Sequence, residues 1–290
     1  MNRTVEPSPR RFAAHPGWHV LGALVVLLWL AVMAGMFGFF GGEGEALDLS
    51  AEDLKVSPPL GERWMGAYQN GRKLGWVHTE SLQDADGTFR FVQRTELLFS
   101  VGGMRQRFES TLHVSLGRDQ ALEHFDFQMQ AGPLSVEAEG RWTGKAIEIE
   151  AGLGSRKVVR RLEMDHSPVF DLTLPAVLVR QDLSSGQRYR VTLFDPQSLS
   201  HRPAIIEVVG PEALSLGGGM KPAIHFRRRV AGLQVDSWID AKGRLLKEVV
   251  DGGLELMAED EALAKRGLDA KGLDTSGLPG LDSLRGLGAL

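Results

Sequence analysis

From Trp64 to Ala258 apolar and polar residues alternate with a period of two, interrupted about every ten residues by turns bearing glycine or proline. Met104, Phe108, Leu112 and Val114 share one parity while Arg105, Arg107, Glu109 and His113 hold the other. Leu134, Val136, Ala138 and Trp142 stand against Ser135, Glu137, Glu139 and Arg141, and Phe125, Phe127 and Met129 oppose His124, Asp126 and Gln128. Successive side chains of a strand point to opposite faces, so such segments form antiparallel strands with one buried and one wetted face. Asn70-Gly71, between the runs 64–68 and 73–79, is the strongest hairpin signal, because both residues readily take the positive φ of a type I′ turn.

Further strands are expected over 146–151, 157–162, 188–194, 205–209, 223–230, 233–239, 245–250 and 254–258, with Asp86-Gly87, Ala131-Gly132-Pro133 and Lys242-Gly243 as turns. The one interruption is 172–182, where Pro175 opens a short apolar helix, Ala176-Val177-Leu178-Val179. The expected fold is mainly β: one large curved antiparallel meander sheet, a half-barrel or open barrel, with the short helix plugging its concave side.

Ahead of this domain, residues 19–41 carry no charge beyond His19. About 21 apolar residues at ~1.5 Å each span about 31 Å, one hydrocarbon thickness. The segment is expected to be a single transmembrane helix. Arg3, Arg10 and Arg11 precede it, Trp18 stands at its start, and Glu43, Glu45, Asp48, Glu52 and Asp53 follow. The positive-inside rule then puts 1–18 in the cytoplasm and the main domain in the periplasm of a bacterial inner membrane. A cleaved signal peptide is the competing reading, but the apolar run exceeds its usual ~7–15 residues and Phe39-Phe40-Gly41-Gly42 is a poor cleavage site. Residues 42–62, rich in Gly, Glu, Asp, Ser and Pro, read as a juxtamembrane linker, 63–259 as the β-domain, and 260–290, with its recurring Gly-Leu pairs, as a low-complexity tail.

Chemistry is sparse. The chain has no cysteine, which removes disulfides, thiolate nucleophiles and thiolate metal sites. His78, His113, His124, His166, His201 and His225 show no compact metal-ligand spacing, Gly-x-Ser-x-Gly is absent, and Gly217-Gly218-Gly219 lacks the Lys-Ser or Lys-Thr of a phosphate loop and reads as a hairpin. A net charge of −4 gives no nucleic-acid footprint. Asp236 and Asp240 read as solvated carboxylates, and Arg227-Arg228-Arg229 as arginines on the wet face of a strand. No catalytic, metal or cofactor residue is assigned. Trp64, Trp76, Phe125, Phe127, Trp142, Phe226 and Trp238 remain as bulky groups that fill a core or line a pocket for an acyl chain.

Residues 64–76, Trp-Met-Gly-Ala-Tyr-Gln-Asn-Gly-Arg-Lys-Leu-Gly-Trp, resemble the start of the β-domain that precedes transglutaminase-like domains in some secreted bacterial proteins, a resemblance covering roughly 63–258. No transglutaminase core follows, and its cysteine nucleophile is absent. Residues 235–247 are similar to the strand, Trp-x-Asp, turn, strand hairpin of periplasmic lipoprotein-carrier-like half-barrels. That similarity implies a curved antiparallel sheet around helices with an apolar concavity. The expected function is therefore a non-enzymatic, membrane-anchored periplasmic module that binds a lipid-like ligand or a protein partner in envelope assembly or transport. The alternatives are an accessory subunit of an inner-membrane complex, docking through its helix and tail, and an unrecognised hydrolase.

Overall fold

The computed structural model describes residues 46–267 apart from 51, 58, 102–103, 154–155, 197 and 231. The expected spanning segment 19–41 and most of the tail lie outside them. Among the described residues no helix is long and apolar enough to cross a membrane.

Sixteen strands form one sheet: β1 (Leu47–Asp48), β2 (Gly61–Gln69), β3 (Arg72–Gln83), β4 (Phe89–Val101), β5 (Met104–Leu116), β6 (Leu122–Ala131), β7 (Leu134–Trp142), β8 (Ala146–Leu153), β9 (Arg156–Glu163), β10 (Val169–Phe170), β11 (Arg188–Asp195), β12 (Ser200–Leu216), β13 (Gly219–Val230), β14 (Leu233–Ile239), β15 (Leu245–Val250) and β16 (Leu254–Glu259). Among the described residues two short helices accompany it, α1 (Leu174–Leu178) and α2 (Glu261–Lys265). Strands β2 to β9 make one antiparallel meander and β11 to β16 a second. The last strand, β16, pairs with the first long one, β2, from Leu254↔Gln69 to Glu259↔Trp64, which welds the two meanders into a single sheet. Strand β9 pairs only with β8, while β1 and β10 run parallel to β11 at the other end, so the sheet is open.

The sheet curls until distant strands touch. Phe125 of β6 and Phe194 of β11 lie far apart along the strand order, yet their ring centroids are 5.3 Å apart, and Phe170 of β10 completes the cluster at 6.0 and 5.5 Å. Phe125 has room because its cross-strand partner is Gly140. A methyl added there would fall inside the Phe125 ring. Gly140→Ala is accordingly expected to lose about 1–3 kcal/mol by overpacking. In a thermal melt followed by circular dichroism this reads as a fall of roughly 5–10 °C.

Helix α1 forms where expected, with Pro175 in its first turn, and buries Leu174, Ala176, Val177 and Leu178 against Val191, Ile206 and Phe226. A five-residue helix apolar on nearly every side has no wet face to offer, so it sits inside the curl as a plug. One expectation needs correction. The stretch 46–57 is part of the domain rather than a free spacer: β1 pairs with β11, Leu49 and Val56 are buried in the same cluster as α1, and Ser50 and Asp53 bond to each other across a turn. Two apolar side chains among acidic ones suffice to dock it. Similarly, 260–265 belongs to the fold: Asp260 caps α2 by accepting from the Leu263 amide, and Ala264 is fully buried.

Candidate functional site

The interior is filled unevenly. One packed cluster lies under β11 to β14 with α1, and another under β4 to β8 with Phe170 and Phe194. Beneath β15, β16, β2 and β3 lies a cavity of about 380 Å³, whose walls include Met65, Val77, Phe127, Leu178, Phe226 and Ile239. That volume falls in the ~300–1,000 Å³ range of small-molecule sites.

Charged groups also line this space, among them two arginines from the inward faces of β13 and β2. On β13, Phe226, Arg228 and Val230 point inward and line the cavity, while Arg227 and Arg229 take the other parity. Of the three arginines read as solvated, the middle one is therefore only 6% exposed. Its guanidinium contacts the Asp171 carboxylate and lies 3.9 Å from Glu248. On β2 the inward parity is Arg63, Met65 and Ala67, and Arg63 also lines the cavity. Burial pushes both guanidinium groups below their ordinary pKa; at Arg63 this is opposed first by Asp240 and then by Glu248, with Arg244 adding to the lowering, and at Arg228 it is opposed by Glu248. Both stay cationic, as arginine does in proteins.

The hydrogen-bond account is incomplete. The Nε of Arg63 and the Nε of Arg228 are buried with no partner, and Arg63 has no ion-pair partner within 4.0 Å among the described residues. Glu248, which also accepts from Ser237 Oγ at 3.0 Å, lies beside Arg228 and acts on Arg63 from farther away, where Asp240 acts more strongly. Of the more exposed lining, Arg202 stands with Asp171 and Asp195. Three guanidiniums and three carboxylates thus line the cavity.

The seven bulky residues separate. Phe125, Phe127 and Phe226 are inside, the last two on the cavity wall. Trp142 is half-buried and lines a second pocket of about 180 Å³ with His166 and Val169. Trp64, Trp76 and Trp238 do not join a pocket; they lie on the outer face. Trp64 stacks on its cross-strand partner His78 at 4.1 Å, and Trp238 on His225 at 4.3 Å. The two outer sites share one design. Glu62 accepts from Trp64 Nε1 at 2.9 Å and lies 2.7 Å from His78 Nε2, while Glu212 accepts from Trp238 Nε1 at 2.7 Å and lies 3.4 Å from His225 Nδ1. A lysine covers each indole, Lys265 at 4.4 Å from the Trp64 ring and Lys247 at 5.5 Å from that of Trp238. These clusters pin α2 and the β12–β13 hairpin to the sheet, a structural use of aromatic and cation–π contacts. Asp236 accepts from Arg227, Gln234 and His225, and Asp240 from the amides of Lys242 and Arg244, so both carboxylates are engaged in turns and cross-strand pairs.

No family model and no curated protein sequence matches the chain. Among solved structures it is similar to a crystal structure of a beta-barrel-like protein of a domain of unknown function (DUF1849) from Brucella abortus, at 11% identity and a TM-score of 0.54, over 70% of this chain and 96% of that one. At that identity the likeness speaks to the fold, a curled and unclosed β-sheet.

Proposed function

We propose that the chain is a membrane-tethered module of the bacterial periplasm whose cavity receives a lipid-like ligand, in the assembly or transport of envelope components. One observation carries this reading: the sheet and α1 leave about 380 Å³ unfilled between two packed clusters, about twice the volume of the pocket at Trp142. Interiors normally close such space, because each unfilled volume forfeits contacts worth about 24 cal/mol per Å³. A cavity kept open at that cost serves an occupant. Its apolar wall favours an acyl chain, and the apolar run 19–41 would hold the module beside the bilayer from which such a chain is drawn.

The test is chemical extraction. Full-length protein purified from its source membrane in a neutral maltoside detergent, then dissolved in organic solvent, is expected to release about one single-chain lipid per chain, far above a control membrane protein handled identically. Release no greater than the control would sink the proposal.

A further inference from the structure

We infer that the occupant of this cavity carries an uncharged, hydroxyl-bearing head, of the kind a monoacylglycerol presents, seated on Thr79, Gln93, Thr95 and Ser110. The inference rests on the lipid-like reading of the cavity and adds the chemistry of its polar end.

Alternation and register bring these side chains together. Thr79 shares a parity of β3 with Val77, Gln93 and Thr95 share one of β4, and Ser110 shares one of β5 with Leu112; all of them line the cavity. Thr79 pairs with Gln93, Val77 with Thr95, and Thr95 with Ser110. Directly opposed side chains of an antiparallel pair stand ~4.5–5.5 Å apart at Cβ, so the three hydroxyls and the amide form one continuous patch. On β4 the same parity begins with Phe89 and Phe91 inside the packed cluster and turns to Gln93 and Thr95 at the cavity. The inner face thus becomes polar where its packing ends.

None of the four side chains has a hydrogen-bond partner among the described residues, and none of their polar atoms is sealed in the wall, as the Nε of Arg228 is. They open on the cavity. A wall meant for an acyl chain alone would be aliphatic throughout, because a hydroxyl or amide facing hydrocarbon forfeits its hydrogen bonds. Water can satisfy the patch, and a ligand head that displaces this water must restore the bonds. Each hydroxyl, and the amide of Gln93, both donates and accepts, which matches a head of hydroxyls and an ester carbonyl. The charged groups of the wall balance, Arg63, Arg202 and Arg228 against Asp171, Asp195 and Glu248. A charged head would therefore give up its hydration without a spare counter-charge to meet.

Met65 and Val77 on one side of the patch, and Leu112 and Phe127 on the other, offer the chain its apolar contact. The volume, about a dozen liquid waters at ~30 Å³ each, suits one chain of about ten carbons with its head better than two chains.

The experiment uses the full chain in nanodiscs of phosphatidylcholine at pH 8, with radiolabelled 1-decanoylglycerol, methyl decanoate and decanoate, and with uptake by empty discs subtracted. Decanoylglycerol is expected to bind about tenfold more tightly than the other two. Thr95→Val combined with Ser110→Ala removes two hydroxyls at nearly constant volume. That double variant should abolish the preference while leaving methyl decanoate affinity within about twofold, and Thr95→Ser should keep most of it. A melt of each variant checks that it is folded; valine suits a strand, so Thr95→Val should not be less stable. Decanoate or methyl decanoate binding as tightly as decanoylglycerol, or a preference that survives the double variant, overturns the head assignment and leaves the lipid-like reading standing. Binding of none of the three overturns both.

Discussion

Phe125→Ala is expected to remove about 3–5 kcal/mol from the domain, among the largest effects of any single truncation in it. Phe125 is fully buried, meets Phe170 and Phe194 edge-on or tilted at 6.0 and 5.3 Å, and seats over Gly140. Those contacts join β6 and β7 to β10 and β11, strands from the two ends of the sheet. Among the described residues no strand pairing closes that gap, which the chain itself crosses only through the loop 164–168 between β9 and β10, so the curl is held there mainly by side-chain packing. Because Gly140 has no side chain with which to fill the void, little collapse can offset the loss. Urea denaturation of the variant should show a midpoint lowered in proportion, and a melt should show a drop of roughly 10 °C or more. Phe170 and Phe194 also line the cavity, so the same variant should lose ligand. A cost under 1 kcal/mol would mean that the curl is maintained by hydrogen-bonded strands alone.

Much of the architecture was legible because it is local. Asn70, with φ of 50°, and Gly71, with φ of 76°, make the expected turn, and β14 and β15 fall on the expected residues. The pairing of β16 with β2 was not legible, since residues nearly two hundred positions apart share no local signal. The run 89–101 also went unassigned as a strand, although Phe89 and Phe91 are buried at one parity.

At the site alternation outweighs residue type. Trp238 shares its parity with Asp236 and Asp240, so the polar face claimed the tryptophan too; Arg228 shares its parity with Phe226, so the buried face claimed the arginine. Hydrophobicity judged residue by residue points the other way in both cases. Trp76 is subtler. From the turn pairing Gln69↔Arg72, uninterrupted register would set it opposite Met65 on the inner face. The irregularity at Ala67/Tyr68 passes over Leu74, and Met65 pairs instead with Val77. One extra residue in β3 thus turns an indole outward and leaves the smaller valine on the cavity wall, which is part of why the cavity exists.

At Glu248 the inner charges bear on stability. Glu248→Gln keeps an acceptor for Ser237 and nearly the same volume, and removes only the charge. Arg63 then keeps only Asp240 as a counter-charge, while Arg228 retains Asp171. Breaking a buried pair in this way costs about 3 kcal/mol, the low end of the ~3–5 range, because the glutamate side chain keeps 19% of its exposure. Adding Arg63→Met to Glu248→Gln should return part of that loss, since the double variant no longer holds the cation that Glu248 helped to offset. Denaturant titration of the four proteins in the cycle measures the coupling directly. Strictly additive costs would show that Glu248 is not a counterion of Arg63, and the inner charge would have to be counted again without it.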